Sequence, residues 1–414
     1  MATLRQKLGA MKNSVLVLPL AVLALAACEK LYISQYYRSE VFPPGNSGGG
    51  PAGPEMDTTV LLSAVLVPAN YDWRRDSSYG CPSAELLLLE NGVKKISIKT
   101  GAKTEVSPDP ATHHLLGGHL YTEYCGPAET VVKKDGKQLF RYQGREVLLG
   151  LLPMGNNLYT LGKDRDGDGF SFRRNGELLL KQASGSVYGD FTNSAFGDNG
   201  ALYEDEGRCC FCFSMGDDCF KVVDGVMERE ALPGRASQVL CMRVVRSEVY
   251  YSMAIGSFAS VGGHGNQYVL PSAYTWKNID LFLNEGELWL IACGERNGEW
   301  FTICGPPGGL NATPYVFKGR NNFMYKQPEG FCAVDISGGD VSATDAAGMV
   351  NYSRDSTFFF SRSCAAVAGE SFYMALTPRE RGLPPIVCRD GEEEVFRVEG
   401  YLTGIEVSIS RSSL

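Results

Sequence analysis

The sequence predicts an all-β fold in which short antiparallel strands are joined by tight turns. Glycine accounts for 48 of the 414 residues, which is about 12% against a usual ~7%. The chain also contains 20 tyrosines and 20 phenylalanines, and aromatic residues are enriched in strands. Asn-Gly and Asp-Gly pairs recur between apolar runs, and they signal hairpins because both residues take a positive φ. Ample apolar material for a core excludes a disordered chain.

An apolar residue followed by an aromatic one recurs along the chain at a mean spacing of about 43 residues. These aromatic anchors are Tyr71, Tyr121, Tyr159, Tyr203, Tyr250, Trp289, Phe323 and Tyr373. The turn signals of the series are Asn91-Gly92, Asp135-Gly136, Asn175-Gly176, Asp224-Gly225, Gly308-Gly309, Gly338-Gly339 and Asp390-Gly391. Each period has room for four short strands, and such units resemble the blades of a β-propeller. We therefore predict a β-propeller of eight four-stranded antiparallel blades over residues 57–414.

Two other architectures fit the same pattern. Seven longer blades fill the same length, because the copies at Tyr250 and Phe323 are degenerate. A two-domain β-sandwich also accounts for many short strands. The signatures of named propeller families, such as a Trp-Asp repeat, do not occur in register.

The end of the chain is predicted to close the ring. Apolar and polar residues alternate from Ile405 to Ser410, which is typical of a strand. The first repeat begins directly with the apolar run 60–67 and has no strand before it. We expect residues 402–410 to form the innermost strand of the first blade, because an unclosed array leaves an unpaired edge.

The first 27 residues have the layout of a secretory signal peptide. Their basic residues are Arg5, Lys7 and Lys12, and they contain no acidic residue. The apolar stretch 15–27 has 13 residues, too few to cross a bilayer core of about 30 Å. It ends in Leu25-Ala26-Ala27-Cys28, which resembles a bacterial lipobox, in which the thiol of Cys28 takes the lipid. The alternative is an ordinary cleavage site before an unmodified cysteine.

Residues 28–56 are predicted to be a tether behind the lipidated Cys28. They contain the stretch Pro43-Pro44-Gly45-Asn46-Ser47-Gly48-Gly49-Gly50-Pro51, which is typical of a flexible linker. Their r.m.s. reach is roughly 30 Å. Without residues 1–27 the chain has 36 basic and 47 acidic side chains. This charge of −11 argues against nucleic-acid binding and leaves membrane attachment to the acyl chains.

The lipobox, the Gly/Pro tether and the degenerate propeller together resemble the uncharacterised surface or periplasmic lipoproteins of Bacteroidota. That resemblance implies a lipid-anchored protein of the bacterial outer membrane. Its propeller is expected to be a non-enzymatic binding or interaction module for a protein or glycan ligand. The alternatives are a structural subunit of an outer-membrane assembly and an enzyme that acts on polysaccharide or peptide.

The segment Asp164-Arg165-Asp166-Gly167-Asp168-Gly169 has the carboxylate spacing of a calcium loop. We expect Asp164, Asp166 and Asp168 to be the candidate ligands of a Ca²⁺ ion, with no other cofactor. The twelfth position of an EF-hand loop, which needs Glu, is Asn175, so an EF-hand is excluded. The alternative is a solvated hairpin turn without metal.

Neither the cysteines nor the histidines form a recognisable catalytic or zinc motif. The densest cysteine cluster, Cys209-Cys210-Phe211-Cys212 followed by Cys219, lies in a predicted strand, where Cys210 and Cys212 share a face and Cys209 points to the other. Cys293 is expected to face Thr302 across a hairpin, with Cys304 diagonal to it. The four histidines are His113, His114, His119 and His264, and no G-x-S-x-G elbow accompanies them. We therefore name no catalytic residue.

Overall fold

The computed structural model describes residues 56–67, 84–189, 199–255, 258–263, 265–284, 287–309, 314–320, 323–328, 330–337, 339–345, 347–380, 382–396 and 400–411. This part of the chain contains 34 β-strands and no α-helix. Its 3₁₀ segments are Pro110–Thr112, Ala236–Gln238, Pro307–Gly309 and Arg362–Cys364. Over the same residues no helix is long and apolar enough to cross a membrane.

The strands form eight antiparallel sheets, the blades, which follow one another along the chain. Blade 1 contains β1 (Met56–Leu66), β2 (Glu85–Glu90) and β3 (Val93–Lys99); blade 2 contains β4 (His113–Leu116), β5 (His119–Cys125), β6 (Glu129–Lys134) and β7 (Lys137–Gln143); blade 3 contains β8 (Glu146–Met154), β9 (Asn157–Asp164), β10 (Phe170–Arg174) and β11 (Glu177–Gln182); blade 4 contains β12 (Ser186–Val187), β13 (Tyr203–Asp205), β14 (Arg208–Met215), β15 (Asp218–Val223) and β16 (Val226–Glu230).

The second half of the ring continues in the same way. Blade 5 contains β17 (Val239–Val245), β18 (Glu248–Ile255), β19 (Phe258–Gly263) and β20 (Asn266–Val269); blade 6 contains β21 (Thr275–Asn284), β22 (Glu287–Arg296), β23 (Glu299–Gly305) and β24 (Tyr315–Lys318); blade 7 contains β25 (Phe323–Gln327), β26 (Gly330–Ser337), β27 (Asp340–Thr344) and β28 (Val350–Arg354); blade 8 contains β29 (Thr357–Phe358), β30 (Ala365–Ala368), β31 (Ser371–Pro378), β32 (Ile386–Arg389) and β33 (Glu392–Val395). In blades 4 and 8 two short pieces together take the place of the first strand, since both pair with the second strand.

The last strand, β34 (Gly400–Arg411), belongs to blade 1 and closes the ring. It pairs antiparallel with β1 from Met56↔Arg411 to Leu66↔Gly400, with one bulge beside Ser63. It occupies the position that the first strand has in the other blades. The predictions of an eight-bladed propeller and of closure by the C-terminal strand are both confirmed, and seven blades and a sandwich are wrong.

Each blade buries both of its faces, because it lies between two neighbours. In β2 the residues Leu86 to Leu89 are all at most 1% exposed. Leu86 and Leu88 pack toward blade 2, against Leu115 and Leu120. Leu87 and Leu89 point the other way and belong to a cluster with strands of blade 8. This two-sided burial explains why β2 is continuously apolar rather than alternating.

The Asn-Gly and Asp-Gly pairs form the predicted turns between the third and fourth strands. Asn175 and Gly176 have φ of 52° and 83°. The Asn175 N–H donates to the Leu158 carbonyl, and Asn175 Oδ1 accepts from the Leu158 N–H, each at 2.8 Å. The same reciprocal pair joins Asn91 to Val60, Asp135 to Leu120, Asp224 to Cys209 and Asp390 to Phe372. The predicted turn at Gly308-Gly309 is a 3₁₀ segment that follows the third strand of blade 6, and Gly338 lies outside the described residues.

The reciprocal hydrogen bonds also fix which residues are equivalent between blades. Tyr121, Tyr159 and Tyr373 each follow the bonded residue of the second strand, as the repeat predicts. In blade 4 the equivalent residue is Cys210, and Tyr203 lies in β13 instead. Phe323 opens the first strand of blade 7 rather than the second. The anchor series is therefore wrong at these two positions, and Tyr71 lies outside the described residues.

Candidate functional site

One end of the propeller, called here the lower face, carries the turns between first and second strands. Since each blade has an even number of strand positions, all first strands run the same way along the channel. The lower face therefore includes Gly117–Gly118, Arg246–Ser247 and Gly369–Glu370. The start of β1 at Met56 lies at the same end, because it pairs with the end of β34.

At the lower face the central channel widens into a cavity of about 780 Å³, the channel-mouth cavity. Its wall is built mainly from strands β4, β8, β25, β30 and β34. The apolar wall includes Leu116, Val367, Ile405 and Val407, and the polar groups are Asn199, Lys326, Arg362, Ser363, Glu406 and Ser408. This volume and lining are typical of a small-molecule site, which is largely apolar with a few polar groups.

The charged groups of this cavity include two that brace its wall. The Gly117 and Gly118 N–H groups donate to Glu406 Oε1 and Oε2, each at 2.7 Å. Arg362 is 8% exposed, donates to the Met324 carbonyl and lies 4.4 Å from the centre of the Tyr325 ring. These contacts preorganise the cavity, so that a ligand meets a formed site.

The hydroxyl of this cavity whose contacts are defined is that of Ser363. The described lining of the cavity contains no histidine and no cysteine. The Ser363 hydroxyl shares a hydrogen bond of 2.7 Å with Ser361 Oγ and donates to the Thr403 carbonyl at 3.5 Å. A serine nucleophile needs a base within hydrogen-bond reach, and neither contact supplies one.

A second cavity at the lower face, the blade 5–6 groove, encloses about 360 Å³. Its lining residues are Val245, Arg246, Tyr250, Gly263, Asn266, Tyr268, Glu287, Leu288, Pro306, Pro307 and Gly308. They come from the first turn and the outer hairpin of blade 5, the start of β22 and the 3₁₀ segment that follows β23. Sequence reasoning missed this groove, although it named Tyr250 as an anchor.

The predicted calcium ligands lie in the exposed turn between β9 and β10. Asp164 Oδ1 accepts from the Asp166 N–H at 2.9 Å. The Asp166 carboxylate accepts from Arg145 Nη1 at 2.9 and 3.0 Å. In the part of the chain that the structure describes, no three His, Cys, Asp or Glu side chains are grouped to hold a metal. Calcium binding at Asp164, Asp166 and Asp168 stays a prediction, and it requires Asp166 to leave Arg145.

The cysteines lie where the strand pattern predicts them. Cys210, Cys212 and Cys219 belong to one cluster between blades 4 and 5, and Cys209 points into the opposite interface. Burial raises the pKa of Cys210 and of Cys212 to about 12. These groups are therefore neutral thiols at ordinary pH, whereas a metal requires the thiolate. No disulfide joins any two of the cysteines that the structure describes, and Cys293 pairs with Thr302 as expected.

The histidines do not come together. His113 and His114 point to opposite faces of β4, and burial lowers their pKa values to about 4 and about 3. His113 Nε2 lies 2.7 Å from the Ser107 carbonyl oxygen. His119 Nδ1 lies 2.7 Å from Asp135 Oδ2 at the surface. His264 is outside the described residues, as is Cys28, so lipid attachment there stays a prediction.

A buried polar cluster between blades 2 and 3 was missed by the sequence reasoning. Glu146 and Arg173 form a bidentate ion pair at 2.5 and 2.9 Å, with both side chains 7% exposed. The Arg173 guanidinium lies 3.8 Å from the centre of the Tyr142 ring. Glu123 is 3% exposed, and its Oε2 accepts from the Leu148 N–H at 2.9 Å. The sequence feature that could have indicated this cluster was an acidic residue in the middle of an apolar strand.

Comparisons with known proteins identify no family. No protein-family model matches the chain, and no curated protein matches it. Apo AztD from Citrobacter koseri is similar in structure, with a TM-score of 0.45 and 11% identity over 86% of this chain and 98% of that one. Dihydro-heme d1 dehydrogenase NirN in complex with DHE is also similar in structure, with a TM-score of 0.49 and 10% identity over 83% of this chain and 74% of that one.

Sqt1 of Saccharomyces cerevisiae gives a TM-score of 0.42 and 11% identity over 70% of this chain and 85% of that one. Likenesses at these values carry no argument about function. The chain is an eight-bladed β-propeller on the strength of its own eight sheets and their closure.

Proposed function

We propose that this protein is a lipid-anchored binding module of the bacterial outer membrane that holds a ligand at its lower face without converting it. The observation that supports this most is the presence of two cavities on that face, of about 780 and 360 Å³. Both volumes fall in the range of about 300–1,000 Å³ that small-ligand sites occupy. The lining of the larger cavity offers contacts and bracing groups rather than a nucleophile with its base.

The proposed anchor is the lipid on Cys28, which follows a signal peptide in residues 1–27. The propeller begins at Met56 on the lower face, so the tether joins the same end of the molecule as both cavities. A tether of 28 residues with a reach of roughly 30 Å leaves space for a ligand to enter between this face and the membrane.

The anchor is tested by replacing Cys28 with serine in the full chain and fractionating the cells. We expect the wild type in the detergent-soluble membrane fraction with a mass that includes the lipid. The Cys28→Ser variant is expected as an uncleaved or soluble form. A variant that still partitions into detergent at the same mature mass contradicts lipidation.

Binding without turnover is tested with the lipidated full chain in detergent micelles. The protein is mixed with a pool of neutral oligosaccharides and synthetic peptides, separated by gel filtration and examined by mass spectrometry. We expect at least one component to be retained at about one per chain and to be chemically unchanged after prolonged incubation. Retention of no component, or conversion of the retained one to product, contradicts the proposed function.

A further inference from the structure

We propose that the blade 5–6 groove is a binding site for a neutral oligosaccharide, which rests on the proposed binding function and names its ligand class. The groove presents two tyrosine rings and several polar side chains to a common space of about 360 Å³. A sugar has apolar C–H faces and a rim of hydroxyl groups, and these need an aromatic surface beside planar hydrogen-bonding groups.

The Tyr250 ring lies in a place that only a glycine leaves open. Gly263 is paired with Tyr250 across the strands β18 and β19, and a Cβ there would lie 2.5 Å from Tyr250 Cδ1. The Tyr268 ring lies beside Gly308, where a Cβ would be in ordinary contact with it at 3.4 Å. Tyr268 is 37% exposed, so it offers an aromatic surface on which a sugar ring can stack by dispersion.

Four polar groups of the groove are available for a ligand. Within the described residues, no hydrogen-bond partner is found for the Arg246 guanidinium, the Glu287 carboxylate, or the hydroxyls of Tyr250 and Tyr268. Arg246 brings donors, Glu287 brings acceptors, and each tyrosine hydroxyl does both. A guanidinium and a carboxylate each bridge two neighbouring hydroxyls, which is the pattern that a sugar diol offers.

The backbone that carries Arg246 is itself fixed. Asp205, 4% exposed, accepts from the Arg246 N–H at 2.7 Å and from the Ser247 N–H at 2.9 Å. This contact ties the first turn of blade 5 to blade 4. A turn that is held before the ligand arrives reduces the entropy lost on binding.

The charges of the groove favour an uncharged ligand. The Arg246 guanidinium is positive, whereas Glu287 and the Glu248 carboxylate near Tyr250 are negative, so a strongly basic ligand meets a like charge at Arg246 and a strongly acidic one at the carboxylates. Burial, the Glu248 carboxylate and the Tyr268 hydroxyl raise the pKa of Tyr250, and Arg246 opposes this rise, so the hydroxyl stays protonated as a donor. A neutral ligand with many hydroxyls satisfies these groups without an unpaired charge.

The test is affinity electrophoresis of the full chain in non-ionic detergent, through native gels that contain glycogen, xylan, galactomannan or a mixed-linkage β-glucan. We expect at least one polysaccharide to retard the wild type. Tyr268→Ala should weaken the interaction at least tenfold, because it removes the exposed ring. Tyr250→Phe keeps the ring and loses one hydroxyl, so a smaller loss of about threefold to tenfold is expected.

The matched control is Phe258→Ala. Phe258 is an exposed aromatic residue, 46% accessible, on the same blade but at the opposite end of β19. This variant should bind as the wild type does, and all three variants should melt within about 2 °C of it, since these residues lie at the surface.

Two results overturn the glycan site while the proposed function stands. In the first, a polysaccharide retards the Tyr268→Ala variant as much as the wild type. In the second, the protein retains a peptide but no oligosaccharide. Cleavage of a polysaccharide that binds through Tyr268 overturns the non-enzymatic function but keeps the site. Retention of neither class overturns both.

Discussion

At the scale of single residues, burial decides the protonation of the groups between blades 2 and 3. Burial raises the pKa of Glu123 from 4.5 to about 8; the hydrogen bond from Leu148 opposes this rise, and the Asp109 and Glu146 carboxylates add to it. Glu146 is held by Arg173, whose guanidinium forms two hydrogen bonds to it. Glu146 is thus paired with the Arg173 cation, whereas Glu123 is kept neutral by its surroundings.

The Glu123 carboxyl is expected to make stability fall as the pH rises. Between pH 4.5 and about 8 the folded chain keeps a proton that the unfolded chain releases. Glu123→Gln removes this titration and keeps an oxygen acceptor for the Leu148 N–H. The wild type should therefore lose stability relative to the variant as the pH rises. The difference between their free energies of unfolding should change by up to about 1.4 kcal/mol per pH unit in this window. Urea unfolding of both proteins near pH 5 and near pH 8 measures it, and a constant difference contradicts the prediction.

Calcium at the β9–β10 turn is a second expectation at this scale. Millimolar calcium should raise the melting temperature of the full chain, since an ion that binds only the folded state stabilises it. Arg145→Ala should enlarge the rise, because Asp166 is then released from its ion pair. Asp168→Asn should reduce it. Equal melting temperatures of the wild type with calcium and with a chelator would refute the site.

At the scale of the strand and turn, five blades share one arrangement of hydrogen bonds, at Asn91, Asp135, Asn175, Asp224 and Asp390. The first residue of the turn between third and fourth strands has a positive φ, and its side-chain oxygen accepts from a second-strand N–H. Asparagine and aspartate tolerate this φ and carry the oxygen, whereas alanine does neither. This arrangement explains why Asn-Gly and Asp-Gly mark the blades, and why the turn locks three strands together.

A series at Asn175 separates the two contributions of this arrangement. Asn175→Asp keeps the oxygen and the tolerance of positive φ and loses only the exposed hydrogen bond from Nδ2 to Asn157 Oδ1, so it should melt close to the wild type. Asn175→Gly keeps only the backbone freedom and also loses the hydrogen bond from the Leu158 N–H, so its free energy of unfolding should fall by about 1–1.5 kcal/mol. The free energy of unfolding of Asn175→Ala should fall by about 2–3 kcal/mol, because the strain of a left-handed alanine adds to the loss of the hydrogen bonds. Urea unfolding ranks the three, and equal stability of the glycine and aspartate variants rules out the hydrogen bond as a contributor.

At the scale of the whole molecule, closure makes the two ends of the chain interdependent. The strand β34 pairs along the full length of β1, and Glu406 on β34 accepts from the Gly117 and Gly118 N–H groups of blade 2. The same strand lines the channel-mouth cavity. Removing it would expose the edge of β1 and open the cavity wall.

Deletion of residues 401–414 should therefore unfold or aggregate the protein, because an unpaired β1 edge is an aggregation site. Deletion of residues 29–55 is the control and should leave the melting temperature unchanged. Size-exclusion chromatography and thermal melting distinguish the two deletions. A monomeric C-terminal truncation with the wild-type melting temperature shows that the ring does not depend on β34.

The sequence by itself predicted the repeat and the closing strand, because turns and strands depend on local preferences, and it favoured eight blades while leaving seven open; the eight sheets of the structure decided that number. A positive φ at Asn175-Gly176 is decided by the two residues themselves. The anchors Tyr203 and Phe323 were misplaced because strand spacing varies from blade to blade. Only the tertiary structure showed the two cavities: in the blade 5–6 groove Arg246 comes from a turn, and Tyr268 and Glu287 come from strands of different blades. They meet because neighbouring blades pack face to face, and no local pattern encodes that convergence.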